Sequence, residues 1–399
     1  MACPFLEDVL DDDSPILRRA FRHERVFRDR SDPLAFGDDY LIERYRFSGD
    51  GLRYLCRLLG PKIQPQMAQS HALTVPMMVC VTLRFFACGS FLHSVGDAEN
   101  LNKETICRTI RHVCLALKSL LNMFVGFPSH LSTMLVKEGF YKISGFPRII
   151  GAMDCTHVPI IGPLGEHEAD YVNRKSIHSI SVQMTCDQVT HQSIVTSVVA
   201  RWPGSVHDSR IFRESALGHQ LQQGLFDGLL VGDRGYACTQ LMTPYPDPDT
   251  PPQSRVNAPL GKCRVRIEMT FGVIKCRFNC LRGLRVRPER ACGIITACVV
   301  LHNIAMMRKE QTPHAPLVAA ADIIDPVMDH PTTVAGSAPK RDTSLGRGSS
   351  NRDDITFQRF QSRQAAKSSD GIPAVPANTS PGKAVFVITQ RLDRRGFCI

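Results

Sequence analysis

The chain has 399 residues and a mass of 44.4 kDa, a length that accommodates roughly two or three domains with a substantial apolar core. Hydrophobic residues make up 43% and charged residues 22%, a balance that excludes a wholly disordered chain. The 48 Lys and Arg against 38 Asp and Glu give a net charge of +10, which favours polyanionic partners only weakly.

Neither membrane insertion nor secretion is indicated. No apolar run approaches the ~18 residues that a membrane helix needs. The N-terminus, MACPFLEDVLDDD, is acidic where a signal peptide is basic. The 15 cysteines are scattered and form no CxxC pair, which favours reduced, buried thiols over a disulfide framework or a zinc ribbon. We therefore predict a soluble intracellular protein with no membrane partner.

The first 145 residues divide into two segments. Residues 1–39 form an acidic N-terminal segment, since residues 1–50 hold 12 acidic and 8 basic residues. Residues 40–145 have helical periodicity, with predicted helix starts at Ser48, Thr74 and Asn102 and predicted stops at Gly60 and Gly89. Residues 92–118 are a candidate helix-turn-helix with KETICRTIRHVC as the second helix, although the pattern fits a plain helical bundle equally well.

From residue 146 the pattern changes to short strands. A first strand is predicted in FPRIIGAMDCTHVPII, which is rich in β-forming residues. A hairpin is predicted from HSISVQMTCD and HQSIVTSVVA, which lie on either side of a turn, and a short buried strand is predicted in GLLVGD. A helix begins at Asp208, another restarts at about Gly261 after a Pro-rich loop, and ERACGIITACVVLHNIAMM is a last, apolar helix. Residues 309–399 are rich in Pro, Gly, Ser, Ala and Thr, and we predict that they are mostly disordered.

Four carboxylates lie at the ends of these predicted elements. They are Asp154, Asp208, Asp233 and Glu268, the last on the helix that follows the Pro-rich loop. Each one alone could be a surface residue, a helix cap or half of a salt bridge, and Asp208 is well placed to cap its helix. Acids that end apolar strands, however, present their side chains at the edge of a sheet where open α/β folds place their sites.

A shared site for these acids predicts a divalent metal. If the first and fourth strands are neighbours, as in a ribonuclease-H-like sheet of order 3-2-1-4-5, Asp154 and Asp233 end side by side and Glu268 joins them from a helix. Such carboxylates would repel one another unless cations neutralise them. Oxygen ligands favour Mg²⁺ or Mn²⁺ over zinc, and two such ions can clamp the attacking and leaving oxygens of a phosphodiester.

Positive charge is concentrated beside the last of these acids. Residues 262–290 hold nine Lys and Arg against two Glu. Four of these cations share a helix with Glu268 and are predicted to contact the DNA backbone: Arg264, Arg266, Lys275 and Arg277. Such groups grip phosphates without reading sequence. The alternative is an ordinary solvated face of a charged helix.

Four blocks of the sequence resemble a known family in order. GAMDCTHVPI, VVARWPGSVHDSRIF, LLVGDRGYACTQLMTPY and RVRIEMTFGVIKCRFNCL are similar to the DDE endonuclease domain of PIF/Harbinger-type transposases and of nucleases derived from them. The step of 35 residues from Asp233 to Glu268 is typical of that group. The resemblance covers about residues 40–308. It implies an α/β, ribonuclease-H-like mixed sheet flanked by helices over residues 146–308, with Asp154, Asp208, Asp233 and Glu268 as the metal-binding positions.

The resemblance also implies a function. We expect a metal-dependent nuclease that hydrolyses DNA, with Asp154, Asp233 and Glu268 as its catalytic residues, located in the nucleus with a cytoplasmic pool. A Myb-like protein partner is implied for nuclear import and DNA targeting. Two alternatives stay open at this point: a domesticated DNA- or chromatin-binding protein that no longer cleaves, and an active transposase. The tail from about residue 309 departs from the family pattern.

Overall fold

A computed structural model describes residues 31–64, 72–188, 193–236 and 241–311. All of them belong to the first of two compact units, Met1–Pro326. Most of the predicted acidic segment and nearly all of the tail predicted to be disordered lie outside the described residues. The predicted boundaries at residues 39/40, 145/146 and 308/309 stay predictions.

Seven helices precede the sheet within the described residues. They are α1 Asp38–Tyr45, α2 Gly49–Ile63, α3 Val75–Cys88, α4 Leu92–Ala98, α5 Lys103–Lys118, α6 Leu121–Phe124 and α7 Thr133–Ser144. The predicted caps are confirmed: the side chains of Ser48, Thr74 and Asn102 each accept a hydrogen bond from a backbone N–H in the first turn of their helices. The predicted stop at Gly60 is wrong, because α2 continues through it to Ile63.

Gly89 ends α3 as predicted, and the structure gives the reason. Its φ of 65° lies in the left-handed region that favours glycine. A Cβ at this position would also lie 2.8 Å from the Cα of Cys280, so no side chain fits without a backbone shift. This close approach brings the end of α3 against the 3-10 turn Asn279–Arg282, far along the chain.

The predicted mixed sheet is confirmed, with strand order β3-β2-β1-β4-β5. Its strands are β1 Ile149–Pro159, β2 Ser179–Cys186, β3 Val195–Pro203, β4 Leu229–Val231 and β5 Leu241–Met242. The first three pair antiparallel, whereas β4 runs parallel to β1 and β5 parallel to β4. The sequence analysis does not predict β5, because two residues are too few to show an alternating strand pattern.

The helices around the sheet differ from the sequence prediction in two places. The helix begun by Asp208 is broken into α8 Asp208–Arg213 and α9 Ala216–Gln222, because the Ser215 side chain caps a new helix. Helix α10 spans Pro251–Arg277 and thus begins ten residues before the predicted Gly261. Prolines are tolerated in the first helical turn, which accounts for Pro251, while the interior Pro259 misled the prediction.

Two apolar cores lie on opposite faces of the sheet. The larger core joins α2, α3, α5, α7 and α10 to the last helix, α11 Pro288–Met307, and to one face of the sheet. The smaller core packs α8 and α9 against the other face. The expectation that no apolar run approaches the length of a membrane helix is wrong for α11, which is long and apolar enough to cross a membrane, yet most of it is buried inside this fold. That burial is what a core helix of a folded domain shows.

Candidate active site

Strand register sets the position of the first two acids. Asp154 lies in the middle of β1, opposite Met184 of the neighbouring β2. On the other side of β1, Ala152 pairs with Val231, the last residue of β4. Continuing this parallel register by two residues brings Asp233 level with Asp154. Asp154 thus lies inside its strand and Asp233 follows the end of β4, so the prediction that these acids end their strands is correct for Asp233 and wrong for Asp154.

Glu268 reaches the same edge of the sheet from α10. The guanidinium of Arg264 joins it to Asp233: Arg264 Nη1 lies 2.8 Å from Asp233 Oδ1, and Arg264 Nη2 lies 2.6 Å from Glu268 Oε1. The Nε of Arg264 donates to the same Glu268 oxygen at 3.2 Å. The three side chains are 30–41% exposed, so solvent can reach all of them. One cation thus holds together two acids from separate elements.

The charges around Asp154 show that it belongs to this group. The pKa of its carboxyl is raised to about 7, chiefly by burial and in addition by the negative charges of Asp233 and Asp208. The hydrogen bond from the backbone N–H of Cys155 and the charge of Arg264 act in the opposite direction. Although burial alone would lower the pKa of the Arg264 guanidinium, Asp233, Glu268 and Asp154 raise it above its usual value.

Asp208 approaches from α8. It is the first residue of that helix, but the cap is His207, whose Nδ1 accepts from the Ser209 N–H at 3.3 Å. The capping role that the sequence left open for Asp208 is therefore excluded. Its charge acts on Asp154 and on Cys155, the next residue along β1. The structure thus brings all four predicted acids into one electrostatic neighbourhood.

The side chains present fit a divalent cation by their chemistry. Asp154, Asp208, Asp233 and Glu268 supply carboxylate oxygens, the hard ligands that Mg²⁺ and Mn²⁺ prefer. Arg264 is a stand-in cation between two of them. Within the described ranges, no three His, Cys, Asp or Glu side chains converge closely enough to hold a metal ion as they stand. The charge of the site therefore suits a metal, provided that the acids move closer together.

The prediction that α10 contacts the DNA backbone is wrong for Arg277. Its side chain is fully buried, and it donates to the backbone carbonyl oxygens of Arg46 and Glu310. Burial lowers the pKa of this guanidinium to about 10. Because the charge is inside the core, no phosphate can reach it.

Lys275 and Arg264 also have other roles in this structure. Lys275 Nζ donates to Thr156 Oγ1 at 2.8 Å and to the His157 carbonyl at 3.0 Å. Burial lowers the pKa of its amine to about 8. This lysine therefore fixes α10 against β1, two residues along the strand from Asp154. Arg264 holds the acids, and its guanidinium is not directed to a separate backbone patch. The predicted role of Arg266 stays a prediction.

A buried polar group behind Asp154 escaped the sequence analysis. The hydroxyl of Tyr236 lies 3.2 Å from Cys155 Sγ and accepts from Gln183 Nε2 at 3.4 Å. Burial raises the pKa of the Tyr236 hydroxyl well above its usual value, so it stays protonated. These contacts fix β1 next to Asp154, and the Cys155 thiol also interacts with Asp208. Only the alternation of side chains along a strand indicates this arrangement, and it does so without naming the partners.

A protein-family profile described as DDE superfamily endonuclease matches residues 153–303. This range contains all four acids and both α10 and α11 through Asn303. No solved structure matches the chain significantly.

Several curated proteins are similar over most of their length. The human protein named "Putative nuclease HARBI1" is 34% identical over 313 residues, which is 77% of this chain and 87% of that protein. The Xenopus laevis protein of the same name is 31% identical over 318 residues, with the same coverage. "Protein ALP1-like" of Arabidopsis thaliana is 25% identical over 312 residues, 72% of this chain and 74% of that protein.

Proposed function

This chain belongs to the Harbinger-derived nucleases of the DDE endonuclease superfamily, and from that membership we propose that it hydrolyses DNA phosphodiester bonds with divalent cations. It is a transposase-derived nuclease; the substrate and the metal mechanism are the proposal. The observation that supports it most is the pair Asp233 and Glu268, brought from separate elements to one cation beside Asp154.

The acids have distinct parts in the proposed reaction. Asp154, Asp233 and Glu268 would hold two Mg²⁺ or Mn²⁺ ions, with Asp208 at the edge of the site. Bound ions of this kind lower the pKa of an attacking water and stabilise the leaving oxygen of the phosphodiester. The protein fixes the geometry: β1 carries Asp154, the turn after β4 carries Asp233, and Lys275 ties α10 to β1 so that Glu268 stays over the sheet edge.

Exposed cations near the C-terminal end of the fold supply the proposed DNA contacts. After the corrections above, the exposed basic side chains of residues 262–290 are Lys262, Arg282, Arg285, Arg287 and Arg290. They cluster around the 3-10 turn Asn279–Arg282 and the start of α11, and only Lys262 is on α10. Arg285 lies over the exposed Phe91 ring, 4.0 Å from its centroid. Such groups hold a phosphate backbone without reading its sequence.

Plasmid nicking tests the proposed activity. Supercoiled plasmid is incubated with Mg²⁺ or Mn²⁺ and either the wild-type protein or Asp233→Asn. The substitution keeps the size of the side chain but removes the negative charge that the cations need. We expect nicking by the wild type and a loss of at least two orders of magnitude in the variant, since losing a metal ligand removes both roles of the ions.

Two controls keep this assay decisive. Equal nicking by both proteins would reveal a contaminating nuclease and contradict the assignment of Asp233. A nuclear extract is added in a parallel series to supply a missing partner, because we propose that a Myb-like protein assists DNA targeting and nuclear import. We also propose a nuclear location with a cytoplasmic pool, which imaging of a tagged chain with and without such a partner tests.

A DNA- or chromatin-binding protein without cleavage is the second candidate. Two observations favour it: Arg264 neutralises two of the acids, and one relative, 25% identical, is named "Antagonist of like heterochromatin protein 1". Retained DNA binding without nicking in any metal, with or without extract, would support this candidate. An active transposase would have the same acids, and terminal inverted repeats around the gene would identify it.

A further inference from the structure

Arg264 has an unusual position for a basic residue in a nuclease site. It lies one helical turn before Glu268 on α10 and makes three hydrogen bonds to the acids: two to a single oxygen of Glu268 and one to Asp233. Charge-assisted bonds of this length are the strong class of protein hydrogen bonds. The guanidinium thus occupies the space between the two carboxylates.

We propose that Arg264 is a resident counter-cation, which holds the acids in the metal-free protein and must leave Asp233 and Glu268 before a divalent ion can bind them. This inference rests on the proposed metal-dependent function. The first support is that Arg264 and a metal ion need the same oxygens. Asp233 Oδ1 and Glu268 Oε1, which accept from Arg264, would be needed as metal ligands. A guanidinium and a divalent ion compete for these oxygens, because two cations at this short separation repel each other.

The acids themselves provide the second support. Within the described ranges, no three potential ligands are close enough to hold an ion. In this structure Asp233 and Glu268 are paired through the guanidinium that lies between them, and not through a shared ion. Without any cation, the same carboxylates beside Asp154 would repel one another. Arg264 therefore stabilises the empty site and at the same time weakens metal binding.

The third support is that the Arg264 side chain can move towards solvent. Arg264 is 30% exposed, and its flexible stem starts on the same helix as Glu268. Rotation about its side-chain bonds carries the charge towards solvent while α10 remains in place. The displaced guanidinium stays at the mouth of the site, where the proposed DNA backbone would arrive.

Calorimetric titration with Mn²⁺ tests the inference on the full chain. Arg264→Ala should bind Mn²⁺ about tenfold more tightly than the wild type, because losing a competing charge-assisted hydrogen bond of about 1.4 kcal/mol corresponds to a tenfold change. The same variant without metal should have a lower Tm, and Mn²⁺ should raise its Tm by more than it raises that of the wild type. Arg255→Ala, which removes an exposed arginine nearer the start of the same helix, is the matched control and should change neither quantity.

The outcomes separate this inference from the proposed function. Mn²⁺ binding that Asp233→Asn abolishes, with equal or weaker affinity in Arg264→Ala, would overturn the role of Arg264 and leave the metal site intact. No Mn²⁺ binding to the wild type or to Arg264→Ala would overturn both. Should Arg264→Ala fail to fold, Arg264→Gln replaces it, because glutamine removes the charge but keeps a side chain that can donate to a carboxylate.

Discussion

Asp154 is the site residue whose ionisation depends most on the fold. Burial raises the pKa of its carboxyl to about 7, against an ordinary value of 3.8, and Asp233 and Asp208 act in the same direction. Arg264 opposes this shift without cancelling it. The metal-free protein near neutral pH is therefore a mixture of protonated and ionised Asp154. A bound cation would favour the ionised form.

This pKa predicts how stability depends on pH in the presence of a metal chelator. Between about pH 4 and 7 the folded Asp154 keeps a proton that the unfolded chain has lost, so the free energy of unfolding falls as the pH rises through this window. The contribution is at most roughly 4 kcal/mol, at about 1.4 kcal/mol per pH unit between the two pKa values. Urea unfolding of the wild type and Asp154→Asn measures it.

The difference between the two proteins isolates Asp154 from the other titrating groups. We expect the stability of the wild type, relative to that of Asp154→Asn, to decline from pH 5 to pH 7 and then to level off. Parallel profiles for both proteins across this range would show that the carboxyl titrates normally and is not desolvated as described.

Helix α10 connects the acidic site to the sheet and to the N-terminal helices. Glu268 and Arg264 lie at its middle, Lys275 binds β1 near its end, and Arg277 closes its last turn. Arg277 is buried over the Phe47 ring and donates to carbonyls that precede α2 and follow α11. The helix is thereby held at both the sheet and the helical region.

Arg277→Met should destabilise the fold without changing DNA contacts. It keeps an apolar side chain in the core but leaves the carbonyls of Arg46 and Glu310 without their donors, at a cost of about 2–4 kcal/mol. Chemical denaturation measures this loss, and Arg266→Met on the same helix is the control, with an expected change below about 1 kcal/mol. A neutral Arg277→Met would mean that these bonds contribute nothing to the position of α10.

The sequence predicted best the parts of the fold with short-range causes. Strand pattern, hairpin and the caps at Ser48 and Asn102 depend on neighbouring residues, and all four were confirmed. The start of α10 was missed because prolines in a first turn look like a loop until the rest of the helix is seen. Arg277 was assigned to DNA because nothing in a sequence distinguishes a buried guanidinium from an exposed one.

The sequence predicts which acidic residues form the site, but it does not predict all of the contacts between them. Asp208 and Asp233 lie at element ends as predicted, whereas Asp154 and Glu268 lie in the middle of β1 and α10 and are selected only by the resemblance of their sequence blocks to the family. The spacing of four residues between Arg264 and Glu268 is that of a helical ion pair, so this contact could have been anticipated. The bond from Arg264 to Asp233 could not, because it depends on how α10 crosses the end of β4.

At the scale of the described residues, the four acids of the site and the exposed arginines of residues 282–290 lie in different parts of the fold. The acids lie at the edge formed by β1, β4 and α10, whereas exposed arginines surround the 3-10 turn Asn279–Arg282 and the start of α11. The net charge of +10 is thus not spread evenly. This arrangement is compatible with the proposal that a DNA backbone is held at the second region and cleaved at the first.

DNA binding should therefore depend on salt through the exposed arginines. We expect Arg282→Ala, Arg287→Ala to reduce the slope of log K against log salt by about 1.8, because each duplex phosphate that a cation neutralises adds about 0.9 to that slope. The control is Arg53→Ala, Lys142→Ala, which removes two exposed cations from other helices. Fluorescence anisotropy at several salt concentrations gives both slopes. Equal slopes for the two double variants would assign the arginines to solubility.

The proposed function requires that Asp154, Asp233 and Glu268 bind divalent cations together. A crystal structure of the full chain grown with Mn²⁺, with anomalous data collected for manganese, tests it most directly. We expect anomalous density bonded to oxygens of all three side chains at about 2.0–2.3 Å, with the Arg264 guanidinium displaced from between Asp233 and Glu268. Density elsewhere, or a site without manganese in which Arg264 still bridges the two acids, would contradict it.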